Sequence, residues 1–400
     1  MDLFLEVVPV EGAVRALCSI AKHVPDEKVA LGKAHNRILA EDATADDDIP
    51  GFTRSVVDGY GLRASDTSGA GEAMPAMLKL RGSVAIGEAD APVIVAGECV
   101  YVPTGGILPE GADAMAMIED CERVGDEVLV HRPAAPGENV LIRGDDFREG
   151  ETVLARGRRL SPRDLGVLGA LGYSQVKVSG RPVAGIISTG NELVSVEERP
   201  GAAEVRDVNS HLCSGFAEAC NCESRIYGIV RDERDALTDA ISRAVQECDL
   251  VLISGGSSKG EHDMCASIIK EAGEVLVHGI AIAPGKPTII GRVGDTPVIG
   301  LPGHPASAYV VLIALVRHLI SAMTGEKSEP LVRQAVLTSN IASARGREDY
   351  VRASLSGNKA TPLFGKSGLT NTLVRSAGLI RIPQEREGLE AGENVDVILW

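Results

Sequence analysis

Residues 249–263 read DLVLISGGSSKGEHD. The run Asp249–Ser254 is apolar without polar alternation, and it breaks into Gly255-Gly256-Ser257-Ser258-Lys259-Gly260 and then Glu261-His262-Asp263. An unalternating apolar strand is one covered on both faces, the mark of a sheet buried between helices. Working outward, Val183–Ser188, Arg225–Val230 and Pro297–Leu301 have the same texture. They alternate with helical apolar spacing over about 209–221, 233–247, 262–272 and 305–324. Strand–helix alternation of this kind predicts a doubly wound α/β domain with a parallel sheet, here over 181–326.

The flanks have other rhythms. Val14, Leu17 and Cys18 fall at helical spacing, and Ala30, Leu31, Ala34, Ile38 and Leu39 predict a second helix. An acidic, turn-like stretch from Glu41 to Asp48 ends at Pro50-Gly51. From about 52 to 146, short runs between glycines and prolines predict a β-rich module: Ala76–Leu80, Pro92–Val95, Cys99–Val102, Ala114–Ile118 and Glu127–Val130. Ser161-Pro162-Arg163-Asp164 then opens a helix, with proline at the first helical position. Beyond Pro330, Val332–Ser339, Asp349–Leu355, Leu379–Ile382 and Val395–Leu399 predict a small β-barrel or sandwich.

Composition removes several classes of function. With 400 residues the chain has room for two to four domains. A net charge of −16 argues against a nucleic-acid binder and against docking on an anionic membrane. The apolar run Ala308–Val316 stops at Arg317, short of a bilayer span, and MDLFLEVV lacks the basic start of a secretory signal. Eight scattered cysteines include no CxxC pair, and Cys220-Asn221-Cys222 is expected to be inert buried thiol. A cytoplasmic protein is expected.

Ligands of doubly wound sheets bind beyond the carboxyl ends of the strands. Four such loops are legible: Thr189-Gly190-Asn191-Glu192, Arg231-Asp232, the stretch 255–263, and Pro302-Gly303-His304-Pro305-Ala306-Ser307. The first three carry carboxylates, which could be helix caps or ligand contacts. The glycine-serine loop can turn backbone N–H groups toward an anion, but it is not a GxxxxGK[ST] loop. Pro284-Gly285-Lys286-Pro287 presents a lysine on a rigid turn. Asp58-Gly59 reads equally as a hairpin turn, and Arg143-Gly144-Asp145-Asp146 equally as an ion pair. Acids beside an anion-accepting loop call for a cation between them, so the residues alone imply a phosphorylated ligand with a divalent metal.

Together the motifs resemble the MoeA family of molybdopterin molybdenumtransferases, which includes the E domain of gephyrin. The matching pieces are SVVDGY (55–60), PTGG (103–106), EGADAM (110–115), GENVLIRGDD (137–146), STGNEL (188–193), GGSSKGEHD (255–263), PGKP (284–287), LPGHPAS (301–307), GREDYVR (346–352) and GKSGLTNTLVRSAGLIRIP (365–383). They occur in family order. The resemblance implies a multidomain α/β-plus-β subunit with four parts: a helical segment from 1–43 and 147–178, a β-rich lid over 44–146, a MogA-like α/β domain over 179–326, and a C-terminal β-barrel over 327–400. It implies a homodimer whose cleft joins the α/β domain of one subunit to the lid of the other. The implied substrates are adenylylated molybdopterin, supplied by a molybdopterin adenylyltransferase, and molybdate or tungstate. AMP is released and Mg²⁺ assists.

By the same resemblance Asp58, Thr104 and Asp146 are lid-side polar residues, and Glu192, Asp232 and Asp263 surround the nucleotide and metal. Gly255, Gly256, Ser258 and Lys259 belong to the glycine loop, Lys286 to the PGKP turn, and Pro302 and Pro305 frame the oxyanion loop. Arg347 and Ser367 are expected contacts from the barrel. Asn191, Lys259, Ala283 and Met264 depart from the usual family pattern. A cation missing at Ala283 and gained at Lys259 reads as compensation, or as the mark of a diverged paralogue. A gephyrin-like scaffold and a nucleotide pyrophosphatase are the competing readings. The SVVDGY element opposes the pyrophosphatase, and Asp58, Asp232 and Asp263 oppose pure scaffolding.

Overall fold

The computed structural model describes residues 7–255, 259–327 and 329–400, and for 259–263 the description stops at the backbone. Contacts divide the chain into two compact units. One holds residues up to Glu41, Gly157–Ser161 and Gln175–Trp400, and the other Asp42–Arg156 with Pro162–Ser174.

The second unit is built on a six-stranded sheet. Its order is Ala114–Met117, Gly59–Leu62, Glu98–Val102, Ala76–Ser83, Glu127–Val130, Cys121–Val124. All neighbours are antiparallel except Ala76–Ser83 with Glu98–Val102. Side chains of a strand alternate between faces. Accordingly, Cys99 packs with Leu62, Leu78 and Val128, whereas Val100 and Val102 pack with Met115 and Ile94 on the other side. The expected strand Pro92–Val95 does not form. Ile94 is buried, but its N–H donates to the Glu110 carbonyl in a loop, while Val93 and Val95 stay exposed. Pro92 cannot donate to a ladder, which disfavours pairing there.

In the first unit, helix Val10–Ser19 buries Val10, Ala13 and Leu17, one face at helical spacing. The second helix expected over 30–39 is absent. Asp26–Ala30 is a strand paired with Gln175–Ser179, followed by one 3₁₀ turn at Leu31–Lys33. Asn36 then adopts φ +65°, which an α-helix cannot accommodate. The apolar spacing instead reflects Ala34, Ile38 and Leu39 being buried from irregular backbone.

The α/β sheet has the order Glu223–Val230, Val183–Thr189, Leu250–Gly255, Thr296–Leu301, Ile289–Val293, Glu274–His278. The first four strands are parallel. The expectation of a wholly parallel sheet needs correcting at one edge, where Ile289–Val293 pairs antiparallel with both its neighbours. Its return from Glu274–His278 carries no crossover helix, which a parallel connection would require. Alternate residues serve opposite layers. Ala184, Ile186, Leu250 and Leu252 face helices Asn209–Ala219 and Pro305–Thr324; Ile187, Val251 and Ile253 face Arg234–Glu247 and Lys259–Ala272.

Helix Pro305–Thr324 is 20 residues long and holds an 18-residue window of mean hydropathy 1.8, enough by length and composition to cross a membrane. It runs through Arg317 over the range expected from the sequence. Its apolar surface is committed to the core, with 72% of the window buried inside the protein. A π-helical turn at Leu312–Val316 lies within it.

The C-terminal strands close a barrel rather than a sandwich. Glu348–Ser356, Lys359–Pro362, Val332–Leu337, Asn394–Leu399 and Gly378–Ile382 pair in a ring, the last returning to the first. Ile282–Ala283 adds to Glu348–Asp349 from outside and ties the barrel to the PGKP turn. Glu348, buried at the barrel wall, accepts two bonds from Arg381 (2.7 and 2.8 Å) and one from the Tyr350 hydroxyl.

Candidate functional site

The chain order places a reversal inside the sheet. From the central strand Val183–Thr189 it steps to Glu223–Val230 on one side, then to Leu250–Gly255 on the other. A crevice forms at such a switch point. The carboxyl ends are level there: Thr189 pairs with both Val230 and Gly255, and Ser254 with Leu301.

Gly255 is required by this close approach. Its φ is +139°, and a Cβ would stand 1.8 Å from the Thr189 carbonyl oxygen. Replacing Gly255 with alanine should cost about 3 kcal/mol or more, since both strain and overlap oppose it. A urea titration checks this, and a loss below about 1 kcal/mol would contradict the close approach.

Beside it lies a cavity of about 600 Å³, lined by Ser188, Thr189, Glu192, Asp207, Asn209, Ser254, Gly255, His304, Pro305 and Gly368 among others. Its walls are organised by hydrogen bonds. Asp232 accepts from the Thr189 hydroxyl (2.5 Å) and from the Asn191 N–H (3.1 Å), and its own N–H donates to the Asn191 Oδ1. Asp232 is therefore a fixed anchor for the 189–192 loop. Asn191 suits this exchange because its amide oxygen accepts while its backbone donates. Asp207 is saturated by Ser188 and Ser210 hydroxyls and the Ser210 N–H.

Asn209 donates from Nδ2 to Ser254 Oγ and to the Gly303 carbonyl, both at 2.7 Å. The carbonyl can only accept, which fixes the amide orientation. Its buried Oδ1 has no partner among the described residues. Neither Asp207 nor Asn209 was singled out from the sequence, though DVNS follows the α/β strand pattern at a helix start. His304, also missed, bonds through Nδ1 to Ser367 Oγ at 2.8 Å.

The sequence-derived site residues fall into several places. Glu192 is exposed on the cavity wall, Pro302 is buried beneath it, and Pro305 opens the helix on its floor. Ser367 reaches the same loop from the barrel, its carbonyl also accepting the Ala306 N–H. Lys286 is exposed on a turn held by the Thr288 hydroxyl on the Gly285 carbonyl. Arg347 is paired with Asp349 at 2.9 Å. Gly256 and Ser258 lie outside the described residues, as do the side chains of Lys259 and Asp263.

In the other unit, Asp58 Oδ1 accepts the Thr104 N–H at 2.9 Å, which brings these two residues together. Asp146 is exposed on the 143–146 turn, where Arg143 pairs with Asp48 at 2.8 Å and holds its carboxyl below the usual range, after a larger effect of the Glu149 N–H.

No three His, Cys, Asp or Glu side chains gather to hold a metal among the described residues. Magnesium does not demand such a cage, since it commonly takes one or two carboxylates alongside substrate phosphates. Glu192 and Asp232 supply hard oxygen donors of that kind at the cavity edge. The thiols supply nothing comparable. Burial raises all eight, with Cys220 at about 11 and Cys213 at about 12, so they stay protonated at neutral pH.

A polar cavity at the switch point of a doubly wound sheet, walled by hydroxyls, amides and carboxylates, defines a binder of a polar small molecule. Family descriptions match most of the chain: "MoeA N-terminal region (domain I and II)" over 8–172, "Probable molybdopterin binding domain" over 185–322, and "MoeA C-terminal region (domain IV)" over 334–400. A Methanocaldococcus jannaschii protein named for molybdopterin biosynthesis is 36% identical, with 100% of both chains covered. The molybdopterin molybdenumtransferase of Bacillus subtilis is 30% identical, over 98% of this chain and 94% of that one. A crystal structure of a MoeA protein from Pyrococcus horikoshii superposes with a TM-score of 0.87 at 33% identity, covering 99% of this chain and 100% of that one. The chain belongs to the MoeA family.

Proposed function

We propose that this protein is a molybdopterin molybdenumtransferase, taking adenylylated molybdopterin and molybdate or tungstate, releasing AMP and leaving the metal on the pterin dithiolene. The observation that carries the reading is the cavity at the Thr189–Gly255 edge, built from the family's own motifs. Its backbone N–H groups and hydroxyls suit a phosphorylated ligand. Asp232 positions the 189–192 loop, and Glu192 faces the ligand. Glu192 and Asp232, with Asp263, would hold Mg²⁺, which would neutralise phosphate charge there. Gly256, Ser258 and Lys259 complete the anion-accepting loop. Pro302 and Pro305 frame the loop near the oxyanion, Lys286 is the cation of the PGKP turn, Arg347 and Ser367 are contacts from the barrel, and Asp58, Thr104 and Asp146 act from the lid of a partner subunit in a homodimer. The four-part division at 43, 146, 178 and 326, a cytoplasmic location and an upstream adenylyltransferase belong to the same reading.

The experiment is AMP release from adenylylated molybdopterin with molybdate present or omitted. Release stimulated by molybdate is expected. Release that ignores molybdate would make the protein a simple pyrophosphatase.

A further inference from the structure

The joint between the barrel and the α/β domain carries a side chain that the proposed chemistry has not used. His304 stands in the loop after strand Thr296–Leu301, lines the cavity and is exposed. Ser367 holds it through Nδ1, and the Ser367 carbonyl accepts the Ala306 N–H at 3.1 Å, so two bonds fix the barrel loop to the histidine's own loop. That leaves Nε2 as the ring nitrogen with no hydrogen-bond partner among the described residues. Gly368 runs alongside, where a Cβ would come within 3.9 Å of Nε2, and glycine keeps that edge of the ring open.

Among the described residues, the other ionisable side chains lining the cavity are Glu192, Glu204, Arg206 and Asp207, with Asp232 bonded to Thr189 at its edge, and Lys366 precedes Ser367 on the barrel loop. Three of them have occupations. Glu204 accepts the Gly201 N–H, Arg206 donates to the carbonyls of Val196 and Glu198, and Asp207 is saturated by Ser188 and Ser210. Among the described residues His304 is the one imidazole on the wall, and imidazole is the commonest side chain for moving a proton.

We propose that His304 is a catalytic proton carrier for cleavage of the phosphoanhydride, oriented by Ser367; the proposal rests on the molybdenumtransferase reading above. In the step, a water oxygen bonds to one phosphorus and gives one proton to Nε2. The bond from that phosphorus to the bridging oxygen breaks, and the imidazolium returns the proton to the bridging oxygen as it leaves on the other phosphate. Anhydride and water become two phosphate monoesters, each carrying one proton, and His304 ends as it began. A fixed ring with one open nitrogen is the arrangement such a relay needs.

The test is the kcat–pH profile of AMP release by full-length wild-type, His304→Asn, His304→Ala and Ser367→Ala proteins. Asparagine can keep the bond to Ser367 but cannot carry the proton. His304→Asn is expected to lower kcat by about 100-fold. KM should change little, and the profile should lose a limb that the wild-type protein shows. Added imidazole should restore part of the His304→Ala rate, and Ser367→Ala should fall less and keep the limb. A purely structural clamp would show the opposite: His304→Asn near wild type with its limb intact, and no rescue by imidazole. Either of those results overturns the proposal. Wild-type protein that releases no AMP would instead overturn the molybdenumtransferase reading, and this proposal with it.

Discussion

Mixed dimers of Asp58→Asn and Asp263→Asn chains should recover about a quarter of wild-type AMP release, although either homodimer is nearly inactive. Asp58 lies in the β-rich unit, where its Oδ1 accepts the Thr104 N–H. The asparagine variant can keep that acceptor and remove only the charge. Asp263 belongs to helix Lys259–Ala272 at the carboxyl edge of the α/β sheet. If each cleft joins the lid of one subunit to the α/β domain of the other, a mixed dimer concentrates both lesions in one cleft and leaves the other intact. Random pairing makes half the dimers mixed, each with one working cleft of two. If each cleft lay within one subunit, every cleft would keep a lesion and mixing would restore nothing. Native mass spectrometry confirms that mixed dimers formed, so an absence of recovery contradicts the cross-subunit site.

The second large effect is metal dependence. Glu192 on the cavity wall and Asp232 at its edge would repel a diphosphate that arrived without a counter-ion. A divalent cation on phosphate oxygens contributes several kcal/mol to charge stabilisation, so chelation should slow AMP release by at least about 100-fold. Returned Mg²⁺ should restore the rate. Glu192→Gln should raise the Mg²⁺ concentration needed for half-maximal rate, while Asp232→Ala should also loosen the loop that Thr189 and Asn191 anchor. Full turnover in chelator would remove the bridging cation.

Parts of the molecule were legible in the chain because they are local. The unalternating runs Val183–Ser188 and Asp249–Ser254 announced strands buried on both faces, and alternate residues do serve opposite helical layers. Reading failed where local pattern and tertiary demand diverge. The spacing of Ala34, Ile38 and Leu39 mimics a helix, yet those residues are buried from a chain bent at Asn36. The strand Lys359–Pro362, which closes the barrel, is too short and mixed to stand out, and only its two partners define it. The antiparallel edge of the α/β sheet escaped for a related reason, since an added strand beside a parallel sheet has the same apolar texture.

The site shows the same division. Glu192, Asp232 and Gly255 were visible because they lie at strand ends or in the loops just beyond them. Asn209 and His304 were not, because what makes them notable is a partner distant in sequence: the Gly303 carbonyl for one, the Ser367 hydroxyl for the other. A histidine after a strand or an asparagine at a helix start is ordinary until the fold brings that partner to it.

The central claim is that the protein places molybdenum on the pterin while cleaving the adenylyl group. It is tested most directly by measuring, in one reaction with adenylylated molybdopterin, molybdate and Mg²⁺, the AMP released and the activation of a cofactor-free molybdoenzyme. The account predicts that the two rise together, one AMP for each active cofactor, and that both fall in the Asp263→Asn protein. AMP release that yields no active cofactor would contradict it.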